Sequence, residues 1–224
     1  MNSLADKLYS SLIVDQRYLL ILRGLGNTLI VTLASLIFGS ILGILIATVK
    51  SRYHFSKQGQ ILNCLCSILV YILRGTPVLL QLLIARHVFF SHLRGAGIAV
   101  AVFTFGLNSS AYISEIIKSG ALAIDIGQYE AGLALGFSGS QTLRLVILPQ
   151  ALRNSLPSLI NEFSALLKET AILGSIAVID LTQAANAIIS RTFHPTALFV
   201  VGIIYLLIVS IVSFGLGRIF KRNI

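Results

Sequence analysis

Apolar positions in this chain come in long unbroken runs, not in the alternation of a half-buried strand or the single stripe of a soluble helix. Gly24 to Val49 and Thr192 to Gly217 contain no Asp, Glu, Lys or Arg, and each exceeds the roughly 20 residues that cross about 30 Å of hydrocarbon. A third run extends from Gly95 to Ser114. Runs this uniform exclude the alternating strands of a membrane barrel, and open sheet edges cannot face lipid, so the spans are helices. Gln58 to Leu73 is also apolar, stops at Arg74-Gly75-Thr76-Pro77, and resumes from Val78 to Ala85. It predicts one crossing bent or broken at the Gly and Pro, with Arg74 near membrane depth. From Leu156 onward LPSLINEFSALLKETAILGSIAVI predicts another crossing, interrupted by Glu162, Lys168 and Glu169. The expectation is an all-α membrane protein with five transmembrane helices.

Composition agrees: 56% of the 224 residues are hydrophobic and 11% charged, with a mean hydropathy of +0.90, too few polar side chains to cover a soluble globule. Five spans put the termini on opposite sides. One side then carries Lys50, Arg52, Lys57, Lys118, Arg144, Arg153, Arg218, Lys221 and Arg222, nine in all, and the other Lys7, Arg17, Arg23, Arg86, Arg94 and Arg191, which is six. The positive-inside rule places the N-terminus outside and the C-terminus in the cytoplasm. Residues 1–23 mix acidic and basic positions, read as an amphipathic segment lying on the membrane surface, and do not resemble a cleaved export signal. The net charge of +9 is spread over loops and reads as leaflet attraction, not nucleic-acid binding. Cys64 and Cys66 lie two apart in an apolar span and read as packing residues. The chain shows no internal repeat and reads as one membrane domain over 1–224, with residues 24–222 as the five-span core.

Gln128 to Gln150 breaks the apolar pattern. Good helix formers run from Gly127 to Leu135, Gly136 stands where a left-handed helix-ending residue belongs, and Ser138-Gly139-Ser140-Gln141 fits a capping box. A second short helix would reach about Leu148, stopped or bent by Pro149. Helix, tight turn, helix is the prediction over 127–149, on the cytoplasmic side. Tyr129, Leu133, Phe137, Leu143 and Ile147 give it more apolar surface than a solvated loop exposes. Two readings stay open from composition: a connector packed on its own bundle, or an anchor for a cytoplasmic partner.

Glu130-Ala131-Gly132, Gly136, Val146 and Leu148-Pro149 are spaced as in the EAA loop of ABC importer permeases, which this stretch resembles. Gly132 stands for the usual second Ala and Val146 for the usual Ile. RGTPVLLQ (Arg74 to Gln81), NSSAYISEIIKSG (Asn108 to Gly120), GQYEAGLALGFSGSQTLRLVILPQA (Gly127 to Ala151) and LKETAILGSIAVIDLT (Leu167 to Thr182) are similar to signatures of the polar amino acid uptake subfamily, the histidine, arginine and glutamine permeases. The chain departs after the RGTP segment, where Arg86, His87, His92 and Arg94 occur. The resemblance implies a type I ABC importer permease fold in the bacterial inner membrane, with Glu130, Ala131, Gly132, Gly136, Phe137, Ser138, Arg144, Leu148 and Pro149 coupling the chain to an ATPase. It also implies two ATPase copies, a second permease subunit (identical or related), an external substrate-binding protein and a polar amino acid substrate.

The chain contains no G-x-x-x-x-G-K-[ST] and no Gly-Lys pair, so no phosphate-cradling loop. No cofactor is expected on it, ATP being used by the partner subunit. His54, His87, His92 and His194 are scattered without metal-ligand spacing, and no nucleophile elbow is present, so neither a catalytic nor a metal site is expected. Polar residues at membrane depth are the substrate-path candidates: Arg74, Thr76 and Gln81 at the broken span, Asn108, Tyr112 and Glu115 at helical spacing on the third, and Asn161, Glu162, Lys168 and Glu169 on the fourth. Arg74 suits a substrate carboxylate and Glu162 an ammonium; the competing reading is that Arg74, Glu115, Lys168 and Glu169 pair with one another. A self-sufficient channel or secondary carrier would carry such charges too, and flux without ATP or partner would mark it. A membrane-embedded enzyme would be marked by turnover surviving a loop mutation.

Overall fold

The computed structural model describes residues 4–221; Arg222, the last basic residue counted for topology, and the first three residues of the N-terminal segment lie outside them. All regular elements among the described residues are helical. They are α1 (Leu4–Leu12), α2 (Tyr18–Ser56), α3 (Gln60–Gly75), α4 (Val78–Ile84, continued by a π turn to Phe89), α5 (Gly97–Leu122), α6 (Ile126–Ala134), α7 (Gly139–Thr142), α8 (Leu148–Glu169), α9 (Leu181–Thr192) and α10 (Thr196–Lys221). Three stretches, Val14–Ser56, Gly97–Leu122 and Thr196–Gly215, are long and apolar enough to cross a membrane alone. Two interrupted helix pairs raise the number to five when each is one span.

Several boundaries depart from the sequence pattern. The α2 helix has 39 residues, about 58 Å at 1.5 Å per residue, and absorbs Tyr18 to Arg23 from the expected surface segment. The fourth span starts earlier than Leu156, because α8 runs from Leu148 and includes Pro157. Proline is accommodated in membrane helices where neighbouring groups satisfy the freed carbonyl. Pro149 does not stop the second hairpin helix. A π turn over Leu143–Ile147, closed by Leu148 N–H donating to Leu143 O, carries the helix without a break from α7 into α8, and Pro149 sits just past this widened turn, inside the continuous helix. The short α9 begins at an N-cap, Asp180, which accepts from Gln183 N–H at 2.9 Å.

The chain forms two compact units. One comprises residues 1–34, 79–102 and 164–224. Its core is Ile21, Leu181, Ala185, Ile188, Ala197 and Val201, and Asn27 ties α2 to the residues before α9 by donating to Ile179 O at 2.8 Å. The other comprises 35–78 and 103–163 and holds the hairpin. Here α2 and α5 approach through small residues. A Cβ on Gly39 or Gly43 would press on Gly106 O or on Ile113 and Ser110 of α5, and one on Gly106 would strike Phe38. Without a hydrophobic drive between helices in lipid, such close backbone approach is what holds them.

Candidate functional site

The hairpin is built from its caps inward. Asp125 opens α6 by accepting from Gly127 N–H at 2.6 Å, a start signal the sequence reading missed, although an Asp just ahead of a helical run is one. At the far end Gly136 N–H donates to Leu133 O at 2.9 Å and Phe137 N–H to Gly132 O at 3.1 Å. That is the Schellman pattern, and it requires the left-handed residue that Gly136 supplies with φ +87°. The capping box is formed as expected: Gln141 N–H donates to Ser138 Oγ at 3.3 Å, and Ser138 N–H to Gln141 Oε1 at 2.8 Å. Gly132 is buried, and a Cβ there would collide with the Thr142 side chain. This explains why the position that usually carries Ala is Gly here.

Its apolar residues divide between two faces. Tyr129, Leu143 and Ile147 are buried, joining Ala47, Ile113, Ile117, Ala121, Ile124 and Ala151 in one core, so they do not supply the exposed surface expected of them. Phe55, at the end of α2, packs on Tyr129 with ring centroids 5.2 Å apart. Leu133 and Phe137 are exposed, as are Leu135 (78%) and Leu145 (60%), which the sequence reading did not single out. Glu130, Ala131, Ser138, Arg144 and Pro149 are also exposed, while Leu148 is half-buried. One side of the hairpin is therefore packed on α2 and α5, and the other leaves leucines, a Phe, Glu130 and Arg144 exposed.

Deeper in the same unit the polar candidates gather on α5. Asn108 is buried and donates to Leu73 O at 3.1 Å, tying α5 to α3 just before the break. Arg74 is exposed and lies over the Tyr112 ring, its guanidinium carbon 5.1 Å from the centroid. Glu115 pairs with Lys50 and, at 3.6 Å, with Lys118. Glu162 accepts from Ser109 Oγ at 2.7 Å. The expected mutual pairing of Arg74, Glu115, Lys168 and Glu169 does not describe Glu115, whose partners are two lysines counted earlier as loop charges. Lys50 sits two turns before the end of a helix much longer than its apolar run, which is why sequence placed it in a loop. Thr76, exposed, donates to Ile72 O at 2.9 Å, and Asn161 is exposed. Gln81, Lys168 and Glu169 belong to the other unit, Lys168 exposed and the other two half-buried.

Two adjoining cavities of about 490 and 450 Å³ open on this cluster, and Arg74, Tyr112 and Glu115 line both. Ser119, Asn154 and Ser158 complete the first; Lys50, Ser67 and Tyr71 line the second. Among the described residues no group of three His, Cys, Asp or Glu side chains could hold a metal ion.

Residues 20–224 match the family described as binding-protein-dependent transport system inner membrane component. The chain belongs to that family. Among the relatives of this permease, the glutamine transport system permease protein GlnP of Escherichia coli (strain K12) is 35% identical over 207 residues, covering 91% of this chain and 92% of its own. The arginine transport system permease protein ArtQ of Bacillus subtilis (strain 168) is 36% identical over 210 residues, covering 91% and 92%. Of solved structures, an amino acid ABC transporter crystallised with histidines matches with a TM-score of 0.82 at 33% identity, over 93% of this chain and 96% of that one. The inward-facing MetNI methionine ABC transporter matches with a TM-score of 0.78 at 23% identity, over 92% and 96%, a likeness of fold. The permease has the type I ABC importer fold and is an inner-membrane component.

Proposed function

We propose that this permease forms the membrane path of an ATP-driven amino acid importer and is worked by a separate ATPase through the 127–149 hairpin. The carrying observation is the two-faced hairpin: its exposed side has the apolar and charged residues of a docking helix, and its buried side shares a core with α2 and α5, so a push on one is felt by the other. GlnP and ArtQ, named for glutamine and arginine transport, give the substrate class.

In this reading Glu130, Ala131, Gly136, Phe137, Ser138 and Arg144 meet a cleft on the ATPase, with Gly132 and the Leu148-Pro149 corner fixing the hairpin's shape. Two ATPase copies bind a pair of permease subunits from the cytoplasm, where the C-terminus also lies, and an external binding protein delivers the amino acid. The chain itself binds no ATP and carries no catalytic group. ATP-driven closure of the ATPases moves the hairpins, and through Tyr129, Leu143 and Ile147 the spans, to open the path outward; hydrolysis resets it. Arg74 offers a planar fork for the substrate carboxylate beside a helix break.

The test is ATP hydrolysis by the complex reconstituted in liposomes. Stimulation by the amino-acid-loaded external binding protein, absent with the unloaded protein, is the expected result. Amino acid flux at full rate without ATPase or binding protein would instead mark a self-sufficient carrier.

A further inference from the structure

The cavity around Arg74 carries information about side-chain charge that the family does not. Glu115, its anionic wall, is already held by Lys50 and Lys118, so its carboxylate is committed and does not offer itself to a substrate cation. Arg74 is in the opposite condition. It lies over the Tyr112 ring, and its guanidinium makes no hydrogen bond or ion pair to any described residue, leaving a fork of N–H donors on the cavity. Along the two cavities the charged lining residues are two cations, Arg74 and Lys50, and one carboxylate, Glu115. The rest of the first cavity's wall carries no charge: Ser119, Asn154, Ser155 and Ser158 supply its polar atoms, and Ile116 and Ala123 are apolar. Asn154 spends an N–H on Gly120 O at 3.5 Å, which leaves its side-chain oxygen as an acceptor. The volumes are those of small-molecule sites.

We infer that this cavity holds the translocated amino acid by its carboxylate on Arg74 and selects uncharged or acidic side chains against cationic ones, with Lys50 and Lys118 setting that choice by neutralising Glu115. The inference rests on the importer reading and deepens it. A substrate ammonium is met by the Asn154 and serine oxygens, and a side-chain amide finds partners on the same wall. A second cation, as in arginine or lysine, meets Arg74 and Lys50 where the one carboxylate lining the cavities, Glu115, is already paired, and like-charge juxtaposition in a partly desolvated site is costly.

The test uses the purified permease–ATPase complex without the external binding protein, so that delivery cannot impose specificity, and measures direct binding of radiolabelled glutamine, glutamate and arginine. Glutamine or glutamate is expected to bind, with arginine weaker by about tenfold or more. Arg74→Ala is expected to abolish this binding while the complex still retains its ATPase, which controls for folding, and Lys50→Gln combined with Lys118→Gln to raise arginine affinity by freeing Glu115 of both cations. Arginine binding wild type as tightly as glutamine overturns the inference, as does undiminished binding by Arg74→Ala. If no amino acid binds, yet loaded binding protein still stimulates hydrolysis, the cavity is not the site and the importer reading stands. If no amino acid stimulates hydrolysis either, both fall.

Discussion

Gly132 shows how one missing methyl shapes the hairpin. Its Cα faces Thr142, whose Oγ1 donates to Ser138 O at 3.1 Å, so the two helices of the hairpin touch where a Cβ has no room. Gly132→Ala is expected to cost about 1–3 kcal/mol, the range for overpacking, and to lower the thermal melting point of the permease–ATPase complex. Thr142→Ala in the same chain removes the atoms that block the new methyl and should restore most of the loss; absence of rescue would show that the hairpin does not pack through this contact. At this scale the sequence was legible wherever a residue acts through its own backbone. Gly136 and Ser138 announced their roles because a left-handed turn and a capping box are local. Lys50 did not: its partner, Glu115, is 65 positions away, and no local pattern reports a long-range ion pair.

Among elements, the hairpin was visible and its two-sidedness was not. Helix formers and the Gly136 stop located α6, but whether Tyr129 or Leu135 faces outward depends on where α2 and α5 lie. The end of the second helix was hidden for a related reason. Pro149 signals a stop, yet the helix runs on through it, widened to a π turn over the residues just before. Ser138→Ala tests the element directly: loss of the N-cap acceptor should cost about 1 kcal/mol and speed amide hydrogen exchange across Gly139–Thr142 in the free permease. Unchanged exchange there would mean that tertiary contacts alone hold α7. The α2–α5 contact had a signal in its small residues at four-residue spacing, Gly39-Gly43 against Gly106-Ser110. Its partner helix, again, could be known only from the structure.

Over the whole molecule, composition and run length established the solvent, and the spans followed from it; the breaks within spans carried less signal because Gly, Pro and Asp act differently in lipid than in water. Topology is the consequence most open to trial. With Cys64 and Cys66 replaced by Ala, a Ser140→Cys permease is expected to react with a membrane-impermeant maleimide in inside-out vesicles and not in right-side-out ones; the reverse pattern would invert the orientation. The central claim is that the exposed face of the hairpin grips the ATPase, and the most direct measurement is retention of the ATPase through detergent purification for wild type, Glu130→Arg and Gly136→Asp. Wild type should keep its partner and both variants should lose it while the permease remains monodisperse. Equal retention by all three would reduce the hairpin to a connector and contradict the account.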